Sequence, residues 1–138
     1  MSEYTQDTFA PVVAWSSIRI FLVLTLILGW TSCSIDFSLA FVHAWLKEPV
    51  WIHLPRGFKS KHPYKTCLKL KRSLYGTSFA PKLWFAETEK SLKEEGFKQS
   101  SFDKCFYLKE DMMIIQFVDD HGISAKNPDD IDKLITNL

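Results

Sequence analysis

At 138 residues, 46% of them hydrophobic, the chain can bury a real core, and its formal net charge of +1 excludes the bulk basicity that would by itself point to nucleic acid or a membrane surface. The cysteines Cys33, Cys67 and Cys105 are odd in number and far apart, which excludes a C-x-x-C metal site and argues against a disulfide scaffold. Reduced thiols in a nuclear or cytosolic compartment are expected rather than secretion.

The opening "SEYTQDTFAP" reads as an irregular lead-in, and Pro11 suits a first helical turn. Val12 to Leu28 reads as a helix buried on most sides, with Gly29 as its stop. Its apolar centre, Ile20 to Trp30, is too short for a comfortable bilayer crossing. Glu3 and Asp7 stand where a signal peptide would carry basic residues, and no small-residue cleavage site follows. A buried helix is therefore expected, with a membrane anchor or a leader as the alternatives.

Cys33, Ile35 and Phe37 alternate with Ser34, Asp36 and Ser38, which predicts a strand with Asp36 near its end. "PVWIHLP" alternates again, with Val50, Ile52 and Leu54 on one face between Pro49 and Pro55. Thr66–Leu74 reads as a half-exposed strand, Cys67, Lys69 and Lys71 against Leu68 and Leu70. A second helix opens near Pro81, with Leu83, Trp84 and Leu92 as its apolar face and Gly96 just past its end. Cys105–Leu108, a turn at Lys109–Asp111 and the strand Met112–Val118 form a hairpin or meander. Asn127 and Pro128 then cap a last helix, with Asp129 and Asp130 in its first turn. Strands interrupted by helices in this order predict an α+β fold, an antiparallel sheet with helices packed on one face.

Lysines and arginines crowd Arg56–Arg72, a run without an acid. Such a run is either a solvated face or a phosphate-tracking surface.

"IIQFVDDHGIS" ends an apolar run in two adjacent aspartates, Asp119 and Asp120. A simple turn would more often set one Asp or Asn beside a Gly. In an antiparallel sheet this tip and the end of the strand carrying Asp36 can lie side by side. Carboxylates meeting there repel unless a cation intervenes. Mg²⁺ is a hard, oxygen-seeking ion held by one or two carboxylates together with phosphates and water. Paired ions of this kind serve in-line phosphoryl transfer. The plain alternative is a turn at Asp119–Asp120, with Asp36 facing water.

"SIDFSLAFVHAWLKEPVWIHLPRGF", "CLKLKRSLYGTSFAPKLWF", "GFKQSSFDKCFYL" and "IIQFVDDHGIS" resemble, in order and spacing, the reverse transcriptase of copia-type LTR retrotransposons. "DTFAPVVAWSSIRIFLVLTLILGW" is similar to that family's block upstream of the first catalytic strand, so the resemblance runs from about Tyr4 to Leu138. It implies an incomplete polymerase palm over residues 1–138, in which Asp36, Asp119 and Asp120 are catalytic and hold Mg²⁺, or Mn²⁺ in its place. It places Leu39, Ala40, Phe41, Tyr75 and Gly76 at the nucleotide, with Phe41 as an aromatic gate against a ribose 2′-hydroxyl. Phe117 and Val118 fall beside the primer end. Implied partners are an RNA template, a DNA primer, deoxynucleoside triphosphates and further polyprotein segments, with no membrane.

Four departures stand out: Phe117 for the usual Tyr, Val42–Ala44 for L-N-G, Thr77–Phe79 for L-K-Q, and His121 where an apolar residue is usual. None removes a carboxylate. The family's basic fingers strands, thumb and ribonuclease H lie outside the matched blocks. The expectation is a palm that does not extend a primer alone, or a non-catalytic remnant that binds nucleic acid at most.

Overall fold

The structure, a computed structural model, describes residues 8–58, 64 and 66–137. Glu3 and Asp7, and residues 59–63 and 65 of the basic run, lie outside the described residues. In chain order the elements are α1 (Trp15–Leu28), β1 (Thr31–Asp36), a 3-10 turn (Ala40–His43), β2 (Trp45–His53), β3 (Cys67–Arg72), α2 (Ala80–Glu94), β4 (Lys98–Gln99), β5 (Phe106–Lys109), β6 (Met112–Phe117), β7 (Asp120–Ala125) and α3 (Pro128–Asn137). Five strands pair antiparallel in the order β1-β7-β6-β5-β4, and β2 and β3 form a separate ribbon. The α+β antiparallel fold read from the sequence is the one that forms.

The sheet centres on β6 because Met112–Ile115 is apolar without a break and is covered on both faces. Met112 and Ile114 join Ile123, Ala125 and Tyr107 beneath Leu92 of α2 and Ile131 and Leu134 of α3. Met113 and Ile115, pointing the other way, join Phe106 and Cys105 beneath Phe21 of α1. Thus α2 and α3 share one face, as expected, while α1 lies across the other. Asn127 Oδ1 accepts the Asp129 N–H at 3.2 Å and caps α3 where predicted. In α2 the buried stripe is Ala80, Trp84, Thr88 and Leu92, with Leu83 only half-buried. The sequence reading did not include β4, β7 or the 3-10 turn.

The first helix departs most from expectation. It begins at Trp15, after an extended Ala14. Nor is it buried on most sides, since its buried residues are Ser17, Phe21 and Thr25. These sit four apart on one narrow stripe, and two of the three are polar. The Thr25 hydroxyl donates to the Phe21 carbonyl at 2.8 Å and pairs with Ser124 Oγ at 3.0 Å. Close docking depends on Gly122, where a Cβ would meet Ile115 Cγ2 at 2.9 Å and the Phe21 ring at 3.3 Å.

Asp103 anchors the start of α1. Its carboxylate accepts the Ala14 N–H at 3.0 Å, the Ser17 hydroxyl and, at 2.8 Å, the Cys105 N–H. Burial alone would raise its pKa, but these donors outweigh burial and hold the carboxyl below its ordinary value of 3.8. A depressed folded-state pKa means stability that is present above the unfolded value and lost as pH falls through the folded one. Asp103→Ala is expected to cost about 1–2 kcal/mol at neutral pH, the scale of a lost helix cap. Urea melts at pH 7 and pH 3 check this, because the wild-type advantage should shrink at the lower pH.

Candidate active site

Strand β6 turns into β7 through a two-residue loop, since Phe117 pairs with Asp120 across it. Val118 and Asp119 are the loop, and Val118 holds φ at +52°. Two-residue hairpins require a positive φ at the first central position, which Gly supplies cheaply and a β-branched residue does not. Leu39, just after β1, is also left-handed at +59°. These are the only non-glycine residues at positive φ among the described residues, and they flank the three aspartates. Strain of this kind persists where surrounding structure over-determines it, and it clusters at functional sites.

Several contacts hold the loop in place. The Trp84 indole N–H donates to the Val118 carbonyl at 2.9 Å, and the Phe37 N–H donates to the Asp119 carbonyl at 3.1 Å. Trp84 packs edge-on against Phe37, with ring centroids 5.3 Å apart. The sequence marked Trp84 as core only; its indole N–H as a clamp on the loop carries no sequence signal.

The β1–β7 register sets Asp36 directly opposite Asp120, so the two carboxylates lie on one face at the end of neighbouring strands. Asp119 projects from the loop. Its Oδ2 accepts the Tyr75 hydroxyl at 3.1 Å, while its Oδ1 is buried without a hydrogen-bond partner among the described residues. Partial desolvation and then the Asp119 carboxylate raise the Tyr75 pKa, and Asp36 adds to the same field. Tyr75 thus joins Asp36 and Asp119 electrostatically.

Phe41 is half-buried in the 3-10 turn, its ring 4.6 Å from that of Tyr75. Gly76, beside Tyr75, is left-handed at φ +87° with open space where a Cβ would sit, so conformation rather than crowding selects glycine there. Ala40 is buried, and its N–H already donates to the Phe37 carbonyl at 3.1 Å. Leu39, Phe117 and Val118 are exposed around the same edge.

His121 has no counterpart among the sequence-predicted site residues. It is 1% exposed, packed against Phe37 with ring centroids 5.0 Å apart, and among the described residues neither ring nitrogen has a hydrogen bond of good geometry. Burial pushes its pKa down to about 4, against weaker opposite pulls from the Asp119 backbone and the Asp120 charge. It is a neutral, unsatisfied side chain behind the carboxylates.

Among the described residues no lysine or arginine pairs with Asp36, Asp119 or Asp120. The donor chemistry suits a hard divalent cation, and the orphaned Asp119 Oδ1 is an acceptor in want of a positive partner. Yet among the described residues no three His, Cys, Asp or Glu side chains gather closely enough to hold an ion. Like charges separate when nothing positive stands between them, and the Tyr75 hydroxyl takes one Asp119 oxygen.

Comparisons with known proteins identify relatives of the chain. A family model described as reverse transcriptase (RNA-dependent DNA polymerase) matches residues 1–138. The chain is similar to the retrovirus-related Pol polyprotein from transposon TNT 1-94 of Nicotiana tabacum, 31% identical over 137 residues, which is 96% of this chain and 10% of that protein. It is also similar to the Pol polyproteins from the Arabidopsis thaliana transposons RE1, 30% identical over 96% of this chain and 9% of that protein, and RE2, 32% identical over 88% and 9%. The chain thus spans about a tenth of the length of these relatives. No solved structure matches it.

Proposed function

The chain belongs to the reverse transcriptase family, in the form found in copia-type Pol polyproteins, and from that membership we propose that residues 1–138 are palm of an RNA-directed DNA polymerase whose metal-binding carboxylates are Asp36, Asp119 and Asp120. The observation that carries this reading is the register of Asp36 against Asp120 beside a strained loop whose Asp119 keeps a buried oxygen unpaired among the described residues. Divalent ions, Mg²⁺ or Mn²⁺, would supply the charge that activates the primer hydroxyl and neutralises the leaving pyrophosphate.

The chain's own residues do the positioning. Trp84 and Phe37 hold the loop, so Asp119 and Asp120 arrive pre-oriented. Tyr75 backs Phe41, fixing the ring that would collide with a ribose 2′-hydroxyl. Leu39 retains an N–H without an internal partner among the described residues and is the free donor for a triphosphate oxygen, whereas that of Ala40 is engaged. Val118 lies exposed at the loop tip for the primer end. The substrates under this reading are deoxynucleoside triphosphates on an RNA template and DNA primer, in a cytoplasmic particle or the nucleus.

The test is a chimera with these residues in place of the matching segment of a copia-type Pol polyprotein, assayed for oligo(dT) extension on poly(rA). Asp119→Asn is expected to cut extension at least about a hundredfold, the scale of losing one transition-state electrostatic group. Extension indifferent to that substitution would sink the reading. The chain by itself is expected to extend nothing. Phosphoryl transfer rests on charge stabilisation, and among the described residues no ion pair joins a lysine or arginine to Asp36, Asp119 or Asp120.

A second reading, nucleic-acid binding without turnover, draws on the β2–β3 ribbon. Arg72 lies over the Trp45 ring at 4.3 Å and exposed Trp51 stands opposite Lys69, interleaving cations with stacking surfaces. No helix among the described residues is long and apolar enough to cross a membrane.

A further inference from the structure

Helix α1 is amphipathic in the wrong sense for a lone surface helix. It turns Ser17, Phe21 and Thr25 toward the sheet and leaves Trp15, Leu22, Val23, Leu26 and Ile27 between 51% and 80% exposed. At 3.6 residues per turn these exposed side chains share one arc of roughly 140°. Within it Trp15, Arg19, Leu22 and Leu26 follow a 4-3-4 spacing, as does the neighbouring row Ser16, Ile20, Val23 and Ile27. This is the spacing of a helix–helix seam.

We propose that this face is the contact between two copies of the chain, packed α1 against α1 in antiparallel, two-fold symmetry. Area is the first argument. A standard interface takes about 800 Å² per partner, and five large apolar side chains more than half exposed on one arc supply surface of that order. Charge is the second. Arg19 is the one charged residue of the helix, and the last turn has no basic residue of its own. In an antiparallel pair crossing near Val23, Arg19 of each copy lies beside the other's Ile27, in the last turn, at the negative end of the helix dipole. Its stem covers apolar surface while its guanidinium meets that end. Two-fold symmetry makes the match twice. A lipid surface fits less well, since interfacial helices rim their apolar face with several Lys or Arg, and here the opposite face is docked on the sheet.

Sedimentation velocity over a micromolar dilution series tests the proposal. A dimer is expected that dissociates at least tenfold more readily in both Leu26→Glu and Arg19→Glu. Far-UV circular dichroism should be unchanged, because neither residue is buried. Ile135→Glu on α3, also exposed, should leave the dimer intact. A monomer at the highest concentration would overturn the proposal. So would association untouched by either α1 variant, or a monomer that binds anionic phosphatidylserine vesicles through this helix.

Discussion

Trp84→Ala is expected to destabilise the fold by about 3–5 kcal/mol, the range for a large aromatic removed from a packed site. The residue is 6% exposed and makes two separate contributions. Its ring fills the space between α2 and Phe37, and its indole N–H satisfies the Val118 carbonyl at 2.9 Å. Trp84→Phe separates them: most packing survives, and the lost hydrogen bond should cost about 1–2 kcal/mol. Urea unfolding of both variants measures the two losses. Amide chemical shifts read the clamp itself, since Trp84→Phe should move Val118 and Asp119 far more than the distant Ile131. A loss below about 1 kcal/mol for Trp84→Ala would show that the loop is held by something else.

His121 governs the second large effect, which is a pH dependence. Its pKa is 6.5 when unperturbed and about 4 when folded. The unfolded chain therefore binds a proton at a pH where the folded chain does not, so stability is full above 6.5 and falls as pH drops toward 4. Spread over that window, the shift is worth about 3 kcal/mol at 1.36 kcal/mol per pKa unit. His121→Leu should flatten this limb. It should also leave stability at pH 7 equal or higher, because both buried ring nitrogens lack partners among the described residues. Denaturant melts in EDTA across pH 4–7.5 decide it, and a wild-type curve flat through that window would refute the buried neutral imidazole. The Asp103 effect lies at lower pH, so the two can be told apart.

Much of the fold was legible because local chemistry and tertiary packing agree. Asn127–Pro128 and the alternation in "PVWIHLP" each correspond to an observed element. Where they failed, a tertiary term decided. The run Ile20–Trp30 looks like a buried helix on hydropathy alone, yet the sheet admits it only along Ser17, Phe21 and Thr25, because those positions meet Asp103, Gly122 and Ser124. Strand β7 is hard to see because His121 and Gly122 interrupt its apolar pattern, and both are explained only by neighbours outside the strand, Phe37 for His121 and Phe21 with Ile115 for Gly122. Within the candidate site, Asp36, Asp119 and Asp120 stood out as carboxylates at strand ends. The Trp84 clamp, the Tyr75–Asp119 hydrogen bond and the strain at Val118 did not, since each depends on residues far apart in the chain.

Asp36, Asp119 and Asp120 are proposed to form one divalent-cation site. Titrating the isotopically labelled chain with Mn²⁺ and following paramagnetic broadening of its amide signals tests that most directly. Saturable broadening centred on residues 35–37 and 118–121 is expected. It should weaken at least about tenfold in Asp36→Asn and in Asp119→Asn, and be unchanged in Asp129→Asn on α3. Broadening spread over other acidic residues, or equal in every variant, would contradict it.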